Sequence, residues 1–148
     1  MAQQRNTLKL STAGFDGLLK RLDSLGGDLR KAVDEALTKA SHTITVSTEN
    51  ALAAQNLPAQ GKYSKSTTQE QIIRDAQVRW EGDTAWIPVG FDFSKPGAGG
   101  YLITGTPRMK PDYELNRIYK QKKYMNLIQK GMEEIVMNYV INAMEGGR

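Results

Sequence analysis

Asp28-Leu29-Arg30-Lys31-Ala32-Val33-Asp34-Glu35-Ala36-Leu37-Thr38-Lys39-Ala40 opens the stretch on which the fold turns. Apolar or small residues stand at Leu29, Ala32, Val33, Ala36, Leu37, Ala40, Ile44, Ser47, Ala51 and Ala54. Steps of three and four put them on one helical face. Asp28 is a suitable N-cap. Leu57-Pro58 sets the far limit near Asn56, because the residue before proline avoids the helical region. A helix of about 29 residues is a rod of roughly 43 Å, long against an expected radius of gyration near 15 Å for this chain length. Its stripe is narrow and alanine-rich, which suits close packing of backbones. Thr43-Ile44-Thr45-Val46-Ser47-Thr48 opposes it with β-branched residues that favour strand and could split the helix.

Upstream, Leu8 and Leu10 alternate within residues 6–12, as in a short edge strand. Phe15, Leu18, Leu19, Leu22 and Leu25 follow helical spacing, and Gly26-Gly27 ends that helix. Downstream, residues 57–70 are polar with Pro58 and Gly61 and have no period, so a mobile loop is expected there. Residues 72–80 alternate at Ala76, Val78 and Trp80, and Glu81-Gly82-Asp83 makes a turn. Ala85, Ile87, Val89 and Phe91 alternate on the return strand. The pattern predicts a hairpin with Pro88 at a non-bonded edge. Residues 91–100 read as a flexible connector, and Tyr101-Leu102-Ile103-Thr104 as a third strand. Asp112 caps a turn with Leu115, Ile118 and Tyr119. Beyond a basic break at 120–123, Met125, Ile128, Met132, Ile135, Val136, Tyr139, Val140 and Ala143 form the best amphipathic stripe in the chain. Helices first, then a β meander, then a helix make an α+β fold. The expectation is a single domain over 1–148 with mobile loops near 57–70 and 91–100.

The 148 residues contain no cysteine and a single histidine, His42. That excludes a disulfide framework, a thiolate zinc site, a cysteine nucleophile and a multi-histidine metal centre. His42 has no nearby nucleophile or orienting carboxylate in the sequence. Pro96-Gly97-Ala98-Gly99-Gly100 lacks the lysine–hydroxyl pair of a phosphate loop. No catalytic, cofactor or metal site is expected, and the chain reads as a non-enzyme. No apolar run approaches the roughly 18 residues that span a bilayer, so no membrane partner is expected.

Charge is concentrated. The net charge is +4, yet residues 108–130 alone hold seven basic side chains (Arg108, Lys110, Arg117, Lys120, Lys122, Lys123, Lys130) against Asp112 and Glu114. Such a segment attracts phosphates, an acidic protein face or anionic lipid. Tyr113, Tyr119 and Tyr124 interleave with these cations, an arrangement that could stack bases while the cations hold phosphates. A nucleic-acid-binding accessory protein is therefore the alternative reading. Met137 and Met144 are candidates for contact with a partner.

Tyr101-Leu102-Ile103-Thr104-Gly105-Thr106-Pro107-Arg108-Met109-Lys110-Pro111-Asp112-Tyr113-Glu114-Leu115 resembles the Gly-Thr-Pro-basic-Met stretch of small tail-completion, or neck, proteins of long-tailed bacteriophages. Gly14-Phe15-Asp16-Gly17-Leu18 followed by a long alanine-rich helix is similar to that family's opening, and the loop with Pro58 and Gly61 occupies the place of its polar loop. The resemblance implies a structural virion protein of the tail or neck, present in the host cytoplasm during assembly. It implies a self-assembled ring, usually sixfold, that joins the finished tail to the filled head. The neighbours would be a head connector or stopper protein and a tail terminator or tail tube protein, with DNA passing through the channel. Lys62, Tyr63, Arg108, Met109, Lys110, Arg117, Lys120, Lys122 and Lys123 would form the protein interface.

Overall fold

The computed structural model of the chain describes residues 6–11, 29–82 and 84–146. In chain order the elements are β1 (Asn6–Ser11), α1 (Leu29–Ala53), α2 (Lys65–Gln71), β2 (Arg79–Glu81), β3 (Thr84–Val89), α3 (Gly99–Thr104), α4 (Tyr113–Lys120) and α5 (Lys122–Gly146). This is an α+β fold with one long helix in its N-terminal half. The helix expected around Phe15–Leu25 lies outside the described residues.

The long helix forms without a break. Within the β-branched stretch, the hydroxyls of Thr43, Thr45 and Thr48 donate to the carbonyls of Lys39, Ser41 and Ile44, four residues back. Threonine in that geometry stays in the helix. α1 buries Leu29, Ala32, Val33, Ala36, Leu37, Ala40, Ile44, Ala51 and Leu52. It packs against β1, β3, α2, α4 and α5, and so serves as the hub of the core.

The sheet is antiparallel, in the order β1-β3-β2. β2 and β3 form the expected hairpin, turning at Gly82 with φ +63°. Ala85, Ile87 and Val89 point into the core. The third strand is β1, whereas Tyr101–Thr104 belongs to helix α3. A four-residue apolar run is too short to distinguish strand from helix by period. Here Gly105, at φ +77°, closes a helical turn by donating its amide to the Tyr101 carbonyl.

β2 is also shorter than the alternation of 72–80 suggests. It begins only at Arg79, opposite Trp86. Pro88 comes two residues later in the central strand and has no amide hydrogen to offer on that side. The chain touches the sheet where Ile72 pairs with Phe91 and Ile73 donates to the Gly90 carbonyl, leaves it alongside Pro88, and returns at Arg79. Pro88 thus faces an unpaired edge, although its strand is the central one.

The two stretches expected to be mobile loops carry helical segments and are hydrogen-bonded to each other. Residues 57–70 contain most of α2, capped by Ser64, whose Oγ accepts from the Thr67 amide. Residues 91–100 run into α3. Thr68 Oγ1 accepts from the Ala98 amide at 3.0 Å, and Gln71 Oε1 from the Gly99 amide at 3.1 Å. Gln71 also donates to the Lys95 carbonyl at 3.2 Å. Amides at a helix start have no partner within the helix. α2 supplies two of them from side chains that are themselves buried. Gly99 is required there, because a Cβ would sit 2.3 Å from the buried Phe91 ring.

Candidate interaction surface

α3 is short but held at both ends. Its C-terminal carbonyls are taken by neighbours that belong to α4: Leu102 accepts from the Asp112 amide at 2.7 Å, and Ile103 from Asn116 Nδ2 at 2.9 Å. Leu102 and Ile103 point into the core. Tyr101 points outward and is 47% exposed.

Aromatic side chains from three chain segments meet at α3. The rings of Tyr63 and Tyr101 stand edge to face, with centroids 5.6 Å apart. The neighbouring Tyr63 phenol, by hydrogen bonding and by charge, pushes the Tyr101 ionisation up from its ordinary range. The Lys62 ammonium lies 5.5 Å from the Tyr63 ring centroid, within cation–π reach. The Phe93 ring lies close to Gly100, where a Cβ would meet it at 3.4 Å. Tyr63, Phe93 and Tyr101 are all exposed.

Just past α3, Thr106 and Met109 exchange backbone hydrogen bonds across Pro107-Arg108 and form a tight turn. Gly105 sets its direction. A Cβ at that position would lie 2.8 Å from the Met109 carbonyl oxygen and from the Pro111 ring. The turn leaves Arg108, Met109 and Lys110 exposed beside a shallow hollow lined by Thr104 and Pro107. Five of the residues expected at an interface, Lys62, Tyr63, Arg108, Met109 and Lys110, therefore flank α3. Tyr101 and Phe93, expected in a strand and a connector, are exposed at α3 as well. The available signal was Gly99-Gly100 before Tyr101, a pair that suits a helix start pressed against a ring.

The other four sit at the α4–α5 corner. Arg117 is already engaged. Its Nη2 donates to Glu114 Oε2 at 2.8 Å, and its guanidinium lies 5.0 Å from the Tyr124 ring centroid. The hydrogen bond to Glu114 pushes its ionisation up further. Lys120, Lys122 and Lys123 are exposed, and no ion pair holds them among the described residues. Lys122 and Lys123 stand at the start of a 25-residue helix whose first turn contains no acidic side chain. The amide dipoles there are positive, so cations are unfavourable by about 0.3–1 kcal/mol each. An arriving negative charge would relieve that cost.

Elsewhere, the departure of residues 73–78 from the sheet leaves an open cavity of 970 Å³ beside Trp86 and Pro88. Glu70, Asp75 and Asp92 line it together with Arg74, Arg79 and Lys95, so neither charge sign dominates. His42 is exposed on α1. Among the described residues no group of His, Asp and Glu could hold a metal ion, and no helix is long and apolar enough to cross a membrane. No family model, curated protein or solved structure matches this chain.

Proposed function

We propose that this chain is a structural subunit of a bacteriophage neck, one member of a ring that joins a completed tail to the DNA-filled head. The observation that carries the reading is the turn at Gly105–Pro111. It is the segment that resembles the tail-completion proteins. Its backbone is fixed at both ends, and it presents Arg108, Met109 and Lys110 just past α3, the helix that carries the exposed Tyr101 and its ring partner Tyr63. Exposed aromatics and methionine on a rigid support are the composition of an interface centre, and the cations are its rim. In a ring, this face would meet a different face of the next subunit. The lysines of the α4–α5 corner would meet an acidic face of the connector, stopper or tail ring.

The nucleic-acid alternative is weakened by where the tyrosines lie. Tyr119 is buried with its hydroxyl on Thr48, and Tyr124 is half-buried beneath Arg117. Of the three tyrosines interleaved with the cations, Tyr113 alone, 70% exposed, is free to stack on a base.

The test is electron microscopy of lysates from a phage carrying Arg108→Glu and Met109→Asp. Filled heads beside separate tails of finished length are expected. Intact virions from this variant and from a deletion of the gene would overturn the proposal. Duplex binding that weakens steeply with salt would favour the alternative.

A further inference from the structure

α5 has a second face that the core does not use. Met132, Val136 and Val140 are buried against the rest of the molecule. At 3.6 residues per turn, the opposite side carries Lys123, Leu127, Lys130, Glu134, Asn138, Ile141 and Glu145, all exposed. Leu127 is 62% and Ile141 45% exposed. None of the four charges on this stripe has an ionic partner among the described residues.

The outer positions of the stripe are self-complementary. Leu127 and Ile141 lie equally far on either side of Glu134, and so do Lys123 and Glu145. We infer that α5 pairs with α5 of a second copy, antiparallel, about a two-fold axis at Glu134. Leu127 then meets the partner's Ile141, and Lys123 meets the partner's Glu145. At the axis the two Glu134 carboxylates face each other, and each lies one turn from the partner's Lys130, which offsets their repulsion. A hollow of 480 Å³ beside Leu127, lined by Lys123, Asn126 and Lys130, gives the incoming Ile141 a seat. A second copy is the occupant because the charge pattern reverses along the stripe. A uniformly acidic partner would be repelled by Glu134 and Glu145, and a uniformly basic one by Lys123 and Lys130. Helix pairs of this kind choose partner and orientation through such flanking charges. The contact is isologous and distinct from the α3 surface; it takes up Lys123 of the α4–α5 corner and leaves Lys120 and Lys122 to an acidic neighbour. It can form whether or not the protein enters a virion.

Sedimentation equilibrium on the full chain tests it. The wild type is expected to pass from monomer to dimer with concentration and to dissociate more readily in high salt. Lys123→Glu and Glu145→Lys should each weaken self-association by at least about tenfold, since each sets like charges opposite one another at both ends. Mixed together, the two variants should associate with each other, because both ends are then complementary. The double variant should recover the wild-type behaviour. Both positions are exposed, so circular dichroism should be unchanged. A wild type that is monomeric throughout, single variants that associate like the wild type, or a mixture that does not associate would each overturn the pairing.

Discussion

Gly105 and Tyr119 each carry more than their surroundings suggest. At φ +77°, Gly105 is in a region that side chains rarely occupy, and a Cβ there would also strike the Met109 carbonyl and Pro111. Gly105→Val should therefore cost about 1–3 kcal/mol and lower the midpoint of thermal unfolding by several degrees. An unchanged midpoint would show that the turn is not held by this residue. Tyr119 is buried against Phe91, with its hydroxyl bonded to Thr48. Burial pushes its ionisation well above the ordinary tyrosine value of 10.0. Its proton is thus held more tightly in the folded state than in the unfolded chain. The resulting stability is complete below pH 10 and is lost as the pH rises beyond it. Tyr119→Phe should lose about 1 kcal/mol at neutral pH and show a shallower fall in stability above pH 10 than the wild type. Parallel alkaline profiles for the two proteins would refute this account.

At the scale of elements, what could be read from the sequence followed what apolar periodicity can report. α1 is written in its alanine stripe and α5 in its methionine–valine stripe, and both are found within a few residues of the expected limits. α2 was hidden because Lys65–Gln71 contains no apolar residue. Its buried side is Thr68 and Gln71, held by hydrogen bonds, and a search for hydrophobic spacing cannot see such a face. α3 was hidden because Leu102 and Ile103 suit a strand as well as a helix. The residues proposed for an interface were legible where charge or a motif marked them, as at Arg108–Lys110. They were missed where exposure depends on tertiary placement, as at Phe93 and Tyr101, or on a helix face turned away from the core, as at Leu127 and Ile141. Asp112, by contrast, was readable as a cap. It accepts from the Leu115 amide at 3.0 Å and also from Gln55 beyond the end of α1. Asp112→Ala should destabilise the protein by about 0.5–2 kcal/mol. Denaturant titration would record this as a lower midpoint with an unchanged slope, and a midpoint within error of the wild type would deny the cap its role.

At the scale of the molecule, the question is whether the sheet, the long helices and the α2–α3 clamp unfold together. α1 touches β1, β3, α2, α4 and α5, so no element on that list can lose its packing without exposing part of α1. The two tryptophans report from different places. Trp80 faces α1, where its Nε1 donates to Asp34 at 2.8 Å and Arg30 covers its ring. Trp86 is on the other face of the sheet, beneath Arg79. Leu37 is fully buried at the middle of α1. Leu37→Ala should cost about 2–5 kcal/mol, a large part of the roughly 5–15 kcal/mol that holds a typical domain together. If the core is one cooperative unit, tryptophan fluorescence and far-ultraviolet circular dichroism will give the same transition in the wild type. Both will then shift by the same amount in the variant. A hub of this kind cannot be weakened on one side only. Separated transitions, or a helical signal that outlasts the tryptophan signal in Leu37→Ala, would mean that α1 and α5 hold together apart from the sheet.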